Sequence, residues 1–188
     1  MNFYEAIIED KAYESQSMAD YNYEECSFVN CHFTDVDFSK AKFISCTFRD
    51  CSFSMITLNQ ASFQKVEFHN SKLMGLRFED LDDFGLEVEF KGCFLDYSTF
   101  IQMNLKNIGF KSCSLKEVDF TEADASNVLF KECDLVRAVF HHTDLTKADF
   151  TLAKNFSIDP RDNKIRGAHF SYNQLSGLLD VFEIEILH

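Results

Sequence analysis

Glycine and proline are scarce in this sequence, with 6 Gly and 1 Pro among 188 residues. Both are the usual residues of tight turns, so a sandwich or barrel built from β-hairpins is not expected. Tryptophan is absent, yet Phe occurs 22 times. A disordered acidic tail would lack aromatic residues, so this class is excluded as well.

Basic residues are also few, because 18 Lys and Arg face 31 Asp and Glu and leave a formal charge of −13. A protein that binds nucleic acid by neutralising phosphates would be basic, so no direct nucleic-acid binding is expected. No run of 18 apolar residues suggests a membrane span, and the acidic first ten residues do not resemble a signal peptide. Seven Cys, an odd number, disfavour a closed disulfide framework and favour a reducing, cytoplasmic location.

Large apolar residues recur at every fifth position along most of the chain. One series runs in steps of five from Tyr23 to Phe78, and a second, shifted by two residues, runs from Phe90 to Phe150. We call these recurring apolar residues the central residues. Two positions before each one lies a mostly small residue, the companion, such as Cys, Ala, Val or Ser. The other three positions of each five are mostly polar.

A period of five fits neither regular secondary structure. On an α-helix each step of five rotates by about 140°, and on a flat strand it alternates between the two faces. A chain that turns a corner every five residues instead points each central side chain at one axis, and four corners close a coil of twenty. The tetrad Phe90-Lys91-Gly92-Cys93 indeed returns, with one variable position, at Phe110 and Phe130. In this half Phe and Leu alternate, Ala125 excepted, so opposite faces should carry Phe and the other two Leu.

This pattern resembles the pentapeptide repeat family, whose motif is A(D/N)LXX with Leu or Phe at the centre. Ala148-Asp149-Phe150-Thr151-Leu152 and Val118-Asp119-Phe120-Thr121-Glu122 match the motif, and the resemblance covers about residues 21–155. Many of the expected Ala residues are replaced by Cys, Val or Ser. The resemblance implies an all-β solenoid, a right-handed quadrilateral β-helix, which agrees with the packing argument.

We predict a single domain over residues 1–188. Residues 1–20 should form an irregular N-terminal coil or cap, residues 21–78 and 90–155 regular coils, and residues 79–89 a loop at the register break, with an unusual dihedral at Gly85. Residues 156–188 should hold a final partial coil, a short helix and a strand over 183–186. By resemblance to characterised relatives, the C-terminal segment is expected to pair two chains into a homodimer through Leu175, Leu178, Leu179 and Phe182.

No catalytic, cofactor or metal site is predicted, and the protein is not expected to be an enzyme. All seven Cys occupy the companion position, where a thiol packs as a small hydrophobe. His141 and His142 lie near Asp144, but adjacent side chains on a coil should diverge and no nucleophile stands nearby. The ladder Lys91, Lys111 and Lys131 reads as a solvated face or, less simply, as an anion-binding stripe.

Acidic residues are therefore the candidate partner-binding surface: Glu79, Asp80, Asp82, Asp83, Glu87, Glu89, Asp119, Glu122, Asp124 and Asp144. The quinolone-resistance and microcin-immunity branches of the family bind DNA gyrase or topoisomerase IV as DNA mimics and protect it from poisons. Chain length, the interrupted solenoid and the C-terminal segment resemble those branches. The resemblance thus implies a non-enzymatic protein that binds a type II topoisomerase. The alternative is a structural or adaptor module with an unrelated protein partner.

The charge is distributed unevenly along the chain. Residues 1–25 and residues 79–89 each carry a net charge of −6, whereas residues 26–78 carry +2 and residues 90–158 carry −1. A DNA mimic would be expected to carry acids along its whole flank. The acidity therefore suits a contact through an end or a loop better than through a DNA-like flank.

Overall fold

Short parallel strands follow one another at five-residue spacing in the computed structural model, which describes residues 1–185. Most strands contain three or four residues, because the chain turns a corner after each one. They are β1 (Asn2–Tyr4), β2 (Ile7–Glu9), β3 (Ala12–Ser17), β4 (Asn22–Glu24), β5 (Ser27–Val29), β6 (His32–Asp37), β7 (Lys42–Ile44), β8 (Thr47–Arg49), β9 (Ser52–Ser54), β10 (Ser62–Gln64), β11 (Val66–His69), β12 (Val88–Lys91), β13 (Ile108–Lys111) and β14 (Phe130–Lys131).

Strands one coil apart pair in register and build the four faces of the solenoid. Face 1 contains β1-β4-β7-β10, face 2 contains β2-β5-β8-β11-β12-β13-β14, and face 3 contains β3-β6-β9. Face 4 pairs through the ends of β3 and β6, where Ser17 lies opposite Asp37, and through single bridges, including Asp37 to Thr57 and Thr99 to Asp119. Single bridges also extend faces 1 and 3 beyond their sheets, as from Asn104 to Asp124 on face 1. The predicted quadrilateral β-helix is confirmed.

Phenylalanine rings fill the axis of the solenoid in vertical stacks. On face 2 the rings of Phe90 and Phe110 stack at 5.6 Å between centroids, and those of Phe110 and Phe130 at 5.7 Å. Rings on neighbouring faces meet edge to face, as Phe100 and Phe110 do at 5.5 Å and 87°. Both geometries suit the aromatic quadrupole. In the second half these stacks occupy faces 2 and 4 and Leu fills faces 1 and 3, as the alternation predicts.

Corners require a left-handed residue in almost every repeat. Positions two after the central residue have positive φ, and most of them are not glycine, as at Met55 with φ of 53°. A positive φ is energetically unfavourable for residues that carry a Cβ. Asn and Asp, which tolerate it best, occupy several corners. The fold therefore does not need glycine at most corners, because the packing of a central ring offsets the backbone strain at each corner.

Gly75 offers a direct measure of this corner strain. Its φ is +69°, and a Cβ built on it would meet nothing within 4 Å. We expect Gly75→Ala to lower the free energy of unfolding by about 1 kcal/mol through backbone strain alone. The reverse change at another corner, Met55→Gly, should raise it by about 0.5 kcal/mol, since relief of strain exceeds the added chain entropy. Chemical denaturation of both variants checks the pair, and an unchanged Gly75→Ala would contradict it.

The register break places two extra residues between faces 1 and 2. Ser62 pairs with Asp82 at the usual spacing, but Val66 pairs with Val88, two residues later than the repeat requires. A 3₁₀ helix (Phe78–Asp80) precedes the insertion. Gly85 has a φ of +70°, the unusual dihedral predicted there. We call residues 81–87 the break loop.

The two ends of the chain differ from expectation in detail. Residues 2–17 form strands that pair in register with the next coil, so the first coil is regular and not irregular as predicted. Beyond the last partial coil, the predicted helix is present as two 3₁₀ helices (Tyr172–Leu178 and Asp180–Phe182). The strand predicted over 183–186 is wrong for residues 183–185, because Glu183 is left-handed and ends the second of these helices. Ile186 lies outside the described residues.

Candidate functional site

A cleft of about 790 Å³ opens on face 1 where the register breaks. The regular ladder stops at Asp82 and resumes between Asn104 and Asp124, so the break loop and the coil at 101–107 do not close on each other. Polar residues dominate the walls, among them Arg77, Glu79, Asp82, Asp83, Gln102 and Asn104. Three of the predicted partner-binding acids therefore share one concave surface.

Acids at the break fall into two groups with different electrostatic surroundings. Arg77 lies within 3.5 Å of the carboxylates of both Glu79 and Asp80, and the Thr99 hydroxyl donates to Glu79 at 2.7 Å. Within residues 1–185, no Lys, Arg or His nitrogen lies within 4.0 Å of a carboxylate oxygen of the other four predicted acids there. These uncompensated acids are Asp82, Asp83, Glu87 and Glu89.

Phe84 projects from the middle of these acids. Its side chain is 78% exposed, whereas Leu81 and Leu86 on either side of it are buried and anchor the break loop to the core. Asp82 steadies the loop further, because its carboxylate accepts a hydrogen bond from the Phe84 amide at 3.1 Å. Sequence reasoning singled out the acids but missed the ring, since a Phe between buried leucines reads as core until the register shows its direction.

Acids of the second half serve the fold more than the surface. Asp119, Asp124 and Asp144 each accept a hydrogen bond from the backbone amide two residues later, at 2.8–3.1 Å. They occupy the D/N position of the repeat, immediately before the central residue, and each one fixes the next corner. Glu122 accepts a hydrogen bond from the Gln102 amide at 2.6 Å. These four are spread over three coils and do not form one site.

Two of these carboxylates also have cationic neighbours, which neutralise the flank. Lys106 lies 2.7 Å from Asp124, and Lys164 lies 3.3 Å from Asp144. Burial pushes the pKa of Asp124 upward, but hydrogen bonds from Lys106 and Ser126 outweigh it and hold the pKa below its usual range. Hydrogen bonds from the Thr146 side chain and backbone lower the pKa of Asp144. A continuous negative flank is therefore not formed here.

These hydrogen-bonded carboxylates predict a stability loss in acid. Asp37, Asp144 and Asp149 have folded-state pKa values below the ordinary range, because serine or threonine two residues later donates to each. A lowered folded pKa contributes stability that is present above the unfolded pKa of about 3.9 and is lost as pH falls through the folded value. We expect the melting temperature to fall steeply below about pH 4, and the double variant Asp144→Asn/Asp149→Asn to flatten that limb. A wild-type curve that stays level in this range would contradict the prediction.

Cysteine and lysine positions support structural roles. All seven thiols are buried and unpaired, and burial raises the pKa of Cys46 and Cys51 to about 12. Ser98 and Thr143 also occupy companion positions, and their hydroxyls donate to backbone carbonyls of the preceding coil. The companion position therefore accepts small residues with or without a hydrogen-bond donor. In the lysine ladder, Lys91 forms an ion pair with Glu67 at 2.8 Å.

His141 and His142 contradict the expectation that adjacent side chains diverge. Their ring centroids lie 4.0 Å apart, and both rings contact Asp162 rather than Asp144. Asp162 comes from a loop twenty residues further along, so only the coil spacing brings the three together. The twenty-residue spacing of the coils could have predicted this contact, although Asp162 lies outside the regular repeats.

At the C-terminus the predicted dimer residues separate into two roles. Leu178 packs against the core, and Leu179 is half-buried. Leu175 and Phe182 are 38% and 43% exposed, and the Arg161 guanidinium lies 4.7 Å from the centre of the Phe182 ring.

In residues 1–185 no helix has both the length and the apolar character required to cross a bilayer.

Comparison with known proteins agrees with this architecture. Family models for the pentapeptide repeat region and for pentapeptide repeats (eight copies) match residues 21–100 and 113–151, together more than half of the chain. No curated protein matches in sequence. Trypsin-treated QnrB1, a plasmid-mediated fluoroquinolone resistance protein, superposes with a TM-score of 0.70 at 17% identity, covering 100% of this chain and 99% of that one.

A second similar structure is HetL, a pentapeptide repeat protein involved in heterocyst differentiation regulation from the cyanobacterium Nostoc. It matches with a TM-score of 0.54 at 13% identity, covering 90% of this chain and 88% of HetL. Identities this low establish a shared fold. The repeat in the sequence, the four-faced solenoid that it builds and the matching family models lead to one conclusion: the chain belongs to the pentapeptide repeat family.

Proposed function

We propose that this protein is a non-catalytic binding protein that contacts a type II topoisomerase, DNA gyrase or topoisomerase IV, through the break loop and protects it from a drug or toxin. The observation that carries the proposal is the pairing of uncompensated carboxylates with an exposed aromatic ring on a rigid support. Aromatic anchors surrounded by polar residues are the usual high-energy contacts of protein interfaces. The buried Leu81 and Leu86 hold this ring in place before binding, which reduces the entropy cost of association.

A basic partner surface suits the break loop. The four uncompensated acids lie within eight residues of one another along the chain, while the neighbouring flank is neutralised by lysines. An enzyme that binds duplex DNA presents a basic groove to the phosphates, and that groove is complementary to the loop. The overall likeness to a fluoroquinolone resistance protein supports a topoisomerase over other DNA-binding enzymes.

Imitation of DNA is therefore proposed for the loop and cleft, and not for the whole rod. Asp119, Asp124 and Asp144 are occupied by backbone amides, and two of them also by lysines. An incoming basic side chain would have to displace those partners. In contrast, Asp83 and Glu87 are exposed and meet a partner directly.

The active form that we propose is a cytoplasmic homodimer joined at the C-terminal ends. Leu175, Val181 and Phe182 lie exposed on the two C-terminal 3₁₀ helices, which we call the closing helices, and the exposed Ile184 follows them. Exposed apolar side chains at the open end of a solenoid need a cover, which a second copy supplies. Two break loops would then project from one rod.

A supercoiling assay with purified gyrase tests the proposal. We expect the wild-type protein at micromolar concentration to relieve inhibition by a fluoroquinolone or to inhibit supercoiling itself. The variant Asp82→Lys/Asp83→Lys should lose this effect by at least about tenfold, because it places two positive charges against a basic surface. Phe84→Ala should lose a similar factor through the missing anchor.

Glu25→Lys/Asp50→Lys is the matched control. Both residues are exposed acids at left-handed corners of the first half, so the net charge changes equally while the break loop stays intact. If the wild-type protein neither inhibits nor protects, the topoisomerase proposal fails. Recovery of a different protein from host lysate, lost in Asp82→Lys/Asp83→Lys, would then identify the adaptor alternative.

A further inference from the structure

Two adjacent histidines and one aspartate meet at a corner between the last regular coil and the loop around Asp162 that follows it. The Nδ1 atom of His141 lies 2.6 Å from Oδ2 of Asp162, and the Nδ1 atom of His142 lies 3.0 Å from its Oδ1. One ligand atom from each of the three residues falls within 4.8 Å of the others. Both rings are exposed, and the carboxylate is half-buried beneath them.

Asp162 is held at this corner by its neighbour Asn163. The buried Asn163 side chain accepts a hydrogen bond from the Thr143 amide at 2.8 Å and donates to the carbonyls of Phe140 and Asp159 at 2.9 and 3.0 Å. These bonds fasten the loop to the histidine-bearing coil on both sides of the pair. The amide of His142 also donates to Asp162 at 3.3 Å. The backbone of the cluster is therefore fixed, and only the exposed rings need to adjust.

From this geometry we propose that His141, His142 and Asp162 form a binding site for a divalent transition-metal ion of the zinc class. Two imidazoles and one carboxylate are the ligands that Zn²⁺ and its neighbours prefer, whereas Mg²⁺ and Ca²⁺ require oxygen ligands. Ligand atoms around a tetrahedral Zn²⁺ lie about 3.3 Å apart for bonds of about 2.0–2.1 Å. The two nitrogen-to-oxygen separations, 2.6 and 3.0 Å, need to open by less than 1 Å, and solvent supplies the remaining ligand positions.

The basic residue next to Asp162 in sequence is already paired with another acid. Arg161 is adjacent in sequence, but its guanidinium is bound to Asp159 at 2.7 and 3.0 Å and lies against Phe182. A bound ion would join the last regular coil to the loop that carries the closing helices. The site should therefore stabilise the C-terminal end without touching the break loop.

Calorimetric titration of the untagged, full-length protein with Zn²⁺ tests the proposal. We expect one saturable site per chain at micromolar Zn²⁺, a higher melting temperature with the metal, and no binding of Mg²⁺. His141→Asn and His142→Asn should each weaken Zn²⁺ binding at least about tenfold, because each removes one of three ligands. Both residues are exposed, so the variants should fold, and circular dichroism checks this. The absence of saturable binding by the wild-type protein would overturn the proposal.

Two further measurements separate this site from other sources of metal binding. His69→Asn is the matched control, because His69 contacts a single carboxylate, that of Glu67, and should leave Zn²⁺ affinity unchanged. Titration with Co²⁺ should give bands without a thiolate charge-transfer component, since all seven cysteines are buried. Such a component, or equal affinity in both ligand variants and the wild type, would assign the metal elsewhere. Gyrase activity plays no part in either readout, so this proposal and the proposed function fail independently.

Discussion

Replacing Phe110 with alanine is expected to lower the free energy of unfolding by about 3–5 kcal/mol, the range for removing a buried phenylalanine from a packed core. Phe110 is 2% exposed, and its ring touches four other aromatic rings. It stacks between Phe90 and Phe130 and meets Phe100 and Phe120 edge to face at 5.5 and 6.1 Å. Alanine would leave a cavity in the middle of the face 2 stack, beside the rings of face 4.

The cavity should be difficult to close by relaxation. The backbone on each side is tied to the coils above and below by the parallel pairing of β12, β13 and β14, so the stacks cannot slide inward. Stability of a solenoid depends on interfaces between neighbouring coils, and this substitution weakens two of them at once.

Chemical denaturation at fixed protein concentration measures the effect of Phe110→Ala. Phe94→Ala is the control, since Phe94 lies one coil before Phe110 but is 47% exposed, and the stability lost should stay within about 0.5 kcal/mol. Phe110→Leu introduces the central residue type of faces 1 and 3 and should therefore cost less stability than Phe110→Ala. A deficit below about 1 kcal/mol for Phe110→Ala would mean that the coils repack around small residues.

The fold could be predicted from the sequence because one period determined it. A step of five, a companion two residues earlier and a tetrad repeating after twenty residues specify the corner, the inward direction and the coil. The insertion was predicted for the same reason, since a shift of two in a strict period shows where the period stops. What the period could not show was the direction of Phe84, because a residue outside the register has no assigned face.

The sequence could not show which acids already have hydrogen-bond partners within the fold. Asp124 and Asp144 stand out in the sequence as stacked acids, but the structure assigns their lone pairs to Ser126 and Thr146 amides. The local hydrogen bond of the D/N position is a general property of the repeat and carries no information about a partner. Conversely, Asp162 is unremarkable in the sequence, and only the structure shows that it contacts two imidazoles.

Replacing Gly177 with alanine is expected to detach the closing helices from the solenoid. Gly177 is buried, and its carbonyl accepts a hydrogen bond from the Ile158 amide at 2.8 Å. A Cβ at this position would lie 2.2 Å from the Phe156 carbonyl oxygen and 2.8 Å from its ring. The nearest of these atoms is backbone, which cannot rotate away, so the helix has to move. Overpacking of this kind costs about 1–3 kcal/mol, and a short terminal segment has few other contacts to resist it.

Detachment of the closing helices has two measurable consequences. Hydrogen exchange should show loss of amide protection over residues 172–182 while the phenylalanine stacks stay protected, because the coils keep their pairing. If this face joins two chains, as we propose, light scattering should also show a shift from dimer to monomer. Ser176→Ala is the control: Ser176 is exposed beside Gly177, so its variant should keep both protection and mass. Full protection of residues 172–182 in Gly177→Ala would show that the segment tolerates the extra carbon and that its contact with Phe156 does not hold it in place.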